Sequence, residues 1–179
     1  MMASLSRLGR QIELLVATLD AIGASYALIG GLALASHKVI RATQDVDLLS
    51  DSADSEAIDR ALQDLGFRCL HRNADVANYL RGDERVDFLF ASREIAKRLL
   101  RDAPVRETSF GRLRVVSAEG LIGFKLQAIV NDPRRTQDLE DIRALFRANR
   151  TTLTMGEVRD YFQLFGRETL LQELLNEQD

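Results

Sequence analysis

Three aspartates stand in apolar company. Asp45 and Asp47 bracket Val46 ahead of Leu48-Leu49, and Asp87 lies within Arg85-Val86-Asp87-Phe88-Leu89-Phe90. In a strand alternate side chains share a face, so Asp45 and Asp47 point the same way while Val46 and Leu48 face a core. Two carboxylates that close repel unless something positive sits between them, and a hard divalent cation such as Mg2+ suits their oxygens. An isolated buried carboxylate is costly, so Asp87 is either on a solvent face or beside a cation. Gly30-Gly31 offers different chemistry. Glycine permits a tight turn and close approach to a ligand, and a turn entering a helix presents free N–H groups to a phosphate. Lys125 is alone in the apolar run 121–129, where it either snorkels to water or meets an anion. Asp138 and Asp141, three residues apart, share a helical face, with Arg134, Arg135 and Arg143 as structural partners within reach.

The elements that must carry these residues follow from apolar spacing and turn chemistry. Leu5, Leu8, Ile12, Leu15, Val16, Leu19 and Ile22 recur at helical spacing up to Gly23. Strands are expected at 26–29 and 45–49, separated by a short helix at 32–37. A capped loop at 50–54 leads to a helix at 56–65, then a strand at 67–71. A hairpin is expected from 78–81 and 85–90 around Gly82-Asp83, and another from 105–108 and 113–116 around Phe110-Gly111. The helix at 92–101 carries Arg93, Lys97, Arg98 and Arg101, a face that is ordinarily just solvated. Ser117 caps a helix at 118–130, and Asn131-Asp132-Pro133 breaks it before a second at 134–148. Two further helices, at 154–166 and 168–175, supply apolar faces for packing or a dimer contact. This order implies an α+β fold with a small mixed sheet and flanking helices, residues 1–116, followed by a C-terminal helical part, residues 117–179.

Gly30-Gly31, a short helix, then Asp45-x-Asp47 on a strand resembles the nucleotidyltransferase superfamily typified by DNA polymerase beta. The spelling Arg41-x-Thr43-x-Asp45-Val46-Asp47-Leu48 is similar, more narrowly, to AbiEii-type and related minimal bacterial nucleotidyltransferases. Lys125, Arg134-Arg135 and Asp138-x-x-Asp141-Ile142 look like their C-terminal motifs. The resemblance implies that Asp45, Asp47 and Asp87 hold one or two Mg2+ ions, with Asp87 also activating the attacking hydroxyl. It implies that Gly30, Gly31, Arg41, Thr43 and Lys125 meet the nucleotide, and that the region of Asp138 and Asp141 lines the same site. Spacing leaves open which of the two aspartates does so. The implied reaction moves a nucleoside monophosphate from an NTP to a hydroxyl and releases pyrophosphate. Acceptors in such relatives are tRNA ends, partner proteins, or aminoglycoside and lincosamide antibiotics; some relatives are toxins with a cognate antitoxin. An antitoxin or a second copy of the chain is therefore an expected partner. Leu32-Ala33 replaces the serine many relatives carry after the glycines, with Ser36 as a candidate substitute.

Composition narrows the field. The 179 residues suffice for one core, or one domain with a helical extension. With 46% hydrophobic and 28% charged residues the chain reads as an ordinary globular protein. A net charge of -3 argues against general coating of nucleic acid and slightly favours a small or protein acceptor over RNA. The single Cys69 cannot form an internal disulfide, is expected as a small buried apolar residue, and suits a reducing cytoplasm. No apolar run is long enough to span a bilayer. His37 and His71 read as ordinary loop or strand-end residues. Two rivals remain: a non-catalytic module that binds NTP or metal while its helical tail serves a partner, and a metal-dependent phosphohydrolase. Retention of all three carboxylates argues against the first.

Overall fold

The computed structural model describes residues 6–177, so Leu5 lies outside the described residues. The chain divides into two compact units. The first comprises residues 1–33 and 42–116, and the second comprises Leu34–Arg41 together with residues 117–179. The division falls after Val116, and Leu34–Arg41 belongs with the helical unit rather than with the sheet.

In the first unit, Ser6 caps α1 (Arg7–Ala21) by accepting from the Gly9 amide, and the helix turns at Gly23 with φ 69°. Strand β1 (Tyr26–Ile29) runs directly into α2 (Gly30–Ala35). Strand β2 (Val46–Asp51) follows, then a 3-10 turn, α3 (Ser55–Asp64), β3 (Arg68–Arg72), β4 (Val76–Arg81), β5 (Glu84–Ala91) and α4 (Glu94–Asp102). The five strands form one mixed sheet in the order β1-β2-β5-β4-β3, with only β2 and β5 parallel. A separate ribbon pairs β6 (Val105–Thr108) with β7 (Gly111–Arg114).

Alternation builds one apolar face of that sheet. Leu28, Val46, Leu48, Tyr79, Val86 and Phe88 are all buried. Ile12, Leu15 and Leu19 of α1 share a small cavity lining with Leu28, Val46 and Leu48, which places α1 on this face. Tyr79 meets Phe88 edge to face, with ring centroids 6.0 Å apart. The Gln11 amide also donates to the Arg85 carbonyl at 3.1 Å, tying α1 to β5. Arg114 of β7 donates to the carbonyls of Leu100, Arg101 and Ala103, which satisfies the open C-terminal end of α4.

The second unit holds α5 (Ala118–Asn131), α6 (Thr136–Ala148), α7 (Met155–Leu164) and α8 (Glu168–Asn176). Ser117 caps α5 through the Gly120 amide, and residues 132–135 separate α5 from α6. Thr154 leads into α7 without a side-chain cap of its own. The buried Glu119 carboxylate accepts from the Thr154 amide at 2.7 Å instead. Gly123 lets α5 approach α7, since a Cβ there would fall 2.9 Å from the Tyr161 ring. Cys69 departs from expectation: it is half-buried in β3, with its thiol 3.6 Å from the His71 carbonyl. His37 departs as well, being buried at 4% exposure, with its carbonyl held by the buried Asn149 amide at 2.9 Å.

Candidate active site

The parallel pairing of β2 with β5 places Asp47 directly opposite Asp87. Paired residues on adjacent strands share a face at about 4.8 Å spacing. Ile29 pairs with Asp47 and Asn78 pairs with Asp87, so Ile29, Asp47, Asp87 and Asn78 form one row across four strands, opposite the apolar face. Both aspartates are half-buried. Asp45 departs from the expected placement: β2 begins at Val46, so Asp45 is half-buried in the segment just before the strand.

Asp87 resolves the alternatives set by its sequence. It has a cationic neighbour and a neutral one: Arg85 Nε lies 3.2 Å from Oδ2, and Asn78 Nδ2 donates to Oδ1 at 2.7 Å. Asn78 escaped notice in the sequence, yet a signal was present. A two-residue turn at Gly82-Asp83 pairs Arg81 with Glu84, and counting outward brings Asn78 opposite Asp87.

Gly30 has φ 66°, a left-handed conformation that other residues adopt at a cost. A Cβ at this position would also overlap the Asp47 carboxylate. The β1-to-α2 turn and Asp47 are therefore in immediate contact, and only glycine leaves both in place. Gly31 is similarly constrained: a Cβ would fall 2.9 Å from the Thr43 Cβ and Oγ1. Thr43 thus packs against Gly31.

The donor set is all oxygen, which suits a hard divalent cation, and Gly30 keeps the flank of the Asp47 carboxylate clear. Asp47 and Asp87 fit as one pair of ligands. Among the described residues no three His, Cys, Asp or Glu side chains are gathered as a metal-binding group.

Lys125, Asp138, Asp141 and Arg41 lie in the second unit and form one charge network. Lys125 is 7% exposed and meets anions rather than snorkelling: Nζ donates to Asp138 Oδ1 at 2.9 Å and to Asp141 Oδ2 at 2.6 Å. Arg135 Nε donates to Asp138 Oδ2 at 2.5 Å, and Gln137 Nε2 to Asp141 Oδ1 at 3.0 Å. Arg41 Nε lies 3.1 Å from Asp141 Oδ1. Burial pushes the Asp138 carboxyl upward, but the hydrogen bond and charge of Lys125, with those of Arg135, outweigh it and hold the group below the ordinary carboxylate range. Of the three arginines expected near these aspartates only Arg135 is engaged there. Arg134 pairs with Asp132, and Arg143 with Glu140 and Glu177.

The architecture defines a class: the mixed sheet, glycine turn and adjoining helices are those of the nucleotidyltransferase fold. No family model and no curated protein sequence matches the chain. Solved structures do. The antibiotic-resistance factor ANT(2'')-Ia superposes with a TM-score of 0.66 at 21% identity, over 96% of this chain and 97% of that one. The lincosamide antibiotic adenylyltransferase LnuA superposes with a TM-score of 0.57 at 12% identity, over 80% of this chain and 98% of that one. An antigenic nucleotidyltransferase-like protein from Paracoccidioides brasiliensis gives 0.54 at 18% identity, over 97% and 95%. At these identities the likeness establishes the fold.

Proposed function

We propose that this chain is a nucleotidyltransferase that moves a nucleoside monophosphate from an NTP to a hydroxyl group. The observation that carries the reading is the Asp47–Asp87 pair, in register on adjacent parallel strands, beside a glycine whose Cβ would strike the Asp47 carboxylate. Asp87, oriented by Asn78, accepts the proton of the acceptor hydroxyl. The hydroxyl oxygen bonds to the α-phosphorus, the bond from that phosphorus to the β-phosphate's bridging oxygen breaks, and pyrophosphate leaves with the electron pair. Asp47 and Asp87 would hold Mg2+, with Asp45 just ahead of β2 as the proposed third carboxylate; when bound, the ion neutralises the phosphates and lowers the pKa of the acceptor hydroxyl. Gly30-Gly31 amides and Thr43 serve the nucleotide on the sheet unit.

A small-molecule hydroxyl is the acceptor favoured here. The support is the nearly end-to-end superposition on ANT(2'')-Ia, also solved in complex with adenylyl-2''-tobramycin (TM-score 0.65, 92% of this chain and 99% of that one). The AbiEii-like spelling from Arg41 to Leu48 supports the second reading, a toxin-antitoxin enzyme acting on tRNA or protein. The test incubates the protein with each α-labelled NTP, Mg2+ and separated small-molecule, tRNA and protein fractions. Wild type should label one fraction, and Asp47→Asn should lose at least a hundredfold in rate while melting within a few degrees of wild type. Full activity in Asp47→Asn would refute the assignment. Phosphate release with no labelled acceptor would replace it with hydrolysis.

A further inference from the structure

We propose that Arg85 competes with the divalent cation for the Asp87 carboxylate: its guanidinium must leave Asp87 as the ion binds, and it thereby sets the cation concentration at which the site fills. The inference rests on the nucleotidyltransferase reading and concerns the regulation of that same site. Every residue it uses belongs to the sheet unit.

Strand alternation puts Arg85 and Asp87 on one face of β5, with the buried Val86 and Phe88 on the other. Asp47 pairs with Asp87 across β2 and β5, so two carboxylates lie side by side and a positive neighbour relieves their repulsion. Arg85 supplies such a charge to Asp87: Nε lies 3.2 Å from Oδ2 and 3.4 Å from Oδ1. A divalent cation held by Asp87 would approach the same oxygens to about 2.0–2.6 Å. Guanidinium and ion repel at that range, and the ion carries twice the charge.

The pair is easily parted. One nitrogen faces both oxygens at distances beyond the about 2.7–2.9 Å of a strong charge-assisted bond, and no two-nitrogen fork closes on the carboxylate. The Arg85 side chain is 46% exposed, against 23% for Asp87, so water takes over its contact when it leaves. Its backbone need not follow, because the Gln11 amide holds the Arg85 carbonyl at 3.1 Å. Nor does Asp87 lose its orientation. Half-buried Asn78 donates to Oδ1 at 2.7 Å and, being neutral, does not oppose a cation. Arg85 and Asn78 thus divide two tasks at one carboxylate, charge balance and aim.

The experiment titrates the full chain with Mn2+ and reads the free ion by electron paramagnetic resonance, beside melting curves. The variants are Arg85→Ala, Arg85→Gln, Asn78→Ala, Asp87→Asn, and Arg85→Ala combined with Asp87→Asn. Arg85→Ala and Arg85→Gln should each bind Mn2+ about threefold to tenfold more tightly than wild type. Asn78→Ala should bind it more weakly. The gain from Arg85→Ala should shrink below about twofold once Asp87 is already Asn. Arg85 variants that bind Mn2+ no more tightly than wild type would mark a supporting arginine and overturn the inference. A gain that persists undiminished beside Asp87→Asn would mark a general charge effect and overturn it too. Arg85→Gln keeps most of the stem and decides the matter where Arg85→Ala fails to fold. Transfer from labelled NTP is read separately: its absence removes the functional reading, whereas the Mn2+ titration alone decides the competition.

Discussion

At Gly30 a single missing carbon separates a workable site from a blocked one. The residue sits at φ 66° with the Asp47 carboxylate in the space a Cβ would take. Gly30→Ala therefore meets two penalties, a left-handed backbone at about 1 kcal/mol or more and a displaced carboxylate. Its transferase rate should fall at least as far as that of Asp47→Asn, with a melting temperature several degrees lower. An alanine variant with full activity would show that Asp47 has slack the structure does not suggest. Much at this scale was legible beforehand. The glycine pair, Asp47 and Asp87 stand out as polar or flexible residues in apolar surroundings, and the Asn78 partnership was countable from the turn. Asp45 was misplaced because alternation says which way a strand residue points but not where the strand begins.

Helix pairs show the limits of such reading more plainly. Lys125 on α5 announces an anion, and Asp138 and Asp141 on α6 announce cations, but periodicity assigns faces rather than partners. The pairing became visible only when α5 and α6 met with those faces together. The same holds for Glu119, which looks like a first-turn acid of its own helix and instead caps α7 through Thr154. Because the network is buried, deleting its centre should be severe. Lys125→Met should cost about 3–5 kcal/mol in urea unfolding, since two carboxylates lose their shared cation. A loss under about 1 kcal/mol, the range of exposed pairs, would mean the network is solvated in practice.

For the molecule as a whole, acid is the informative perturbation. The Asp138 carboxyl is held below its ordinary value in the folded chain, so its ionised form favours folding. That contribution is complete above the unfolded pKa, near about 3.9, and is lost as pH falls through the lower folded value. Asp138→Asn should therefore be less stable than wild type at neutral pH, and its unfolding free energy should change less below about pH 4. Parallel acid profiles for the two proteins would show that the shift is not felt in stability. None of the described helices is long and apolar enough to cross a membrane.

The assignment of Leu34–Arg41 to the helical unit has a consequence for synthesis on the ribosome. This octet emerges well before the helices it folds with. His37 must wait 112 positions for Asn149. The buried side chains of Leu34 and Val39 remain without their unit throughout that interval. Sheet assembly can proceed by local pairing, whereas the segment from the end of α2 toward β2 completes its folding only once the helices from α5 onward have been made. A gene split after Val116 would accordingly yield a leading half with an orphaned insert. Recovery of activity from two separately expressed halves would then depend on the trailing half recapturing those eight residues.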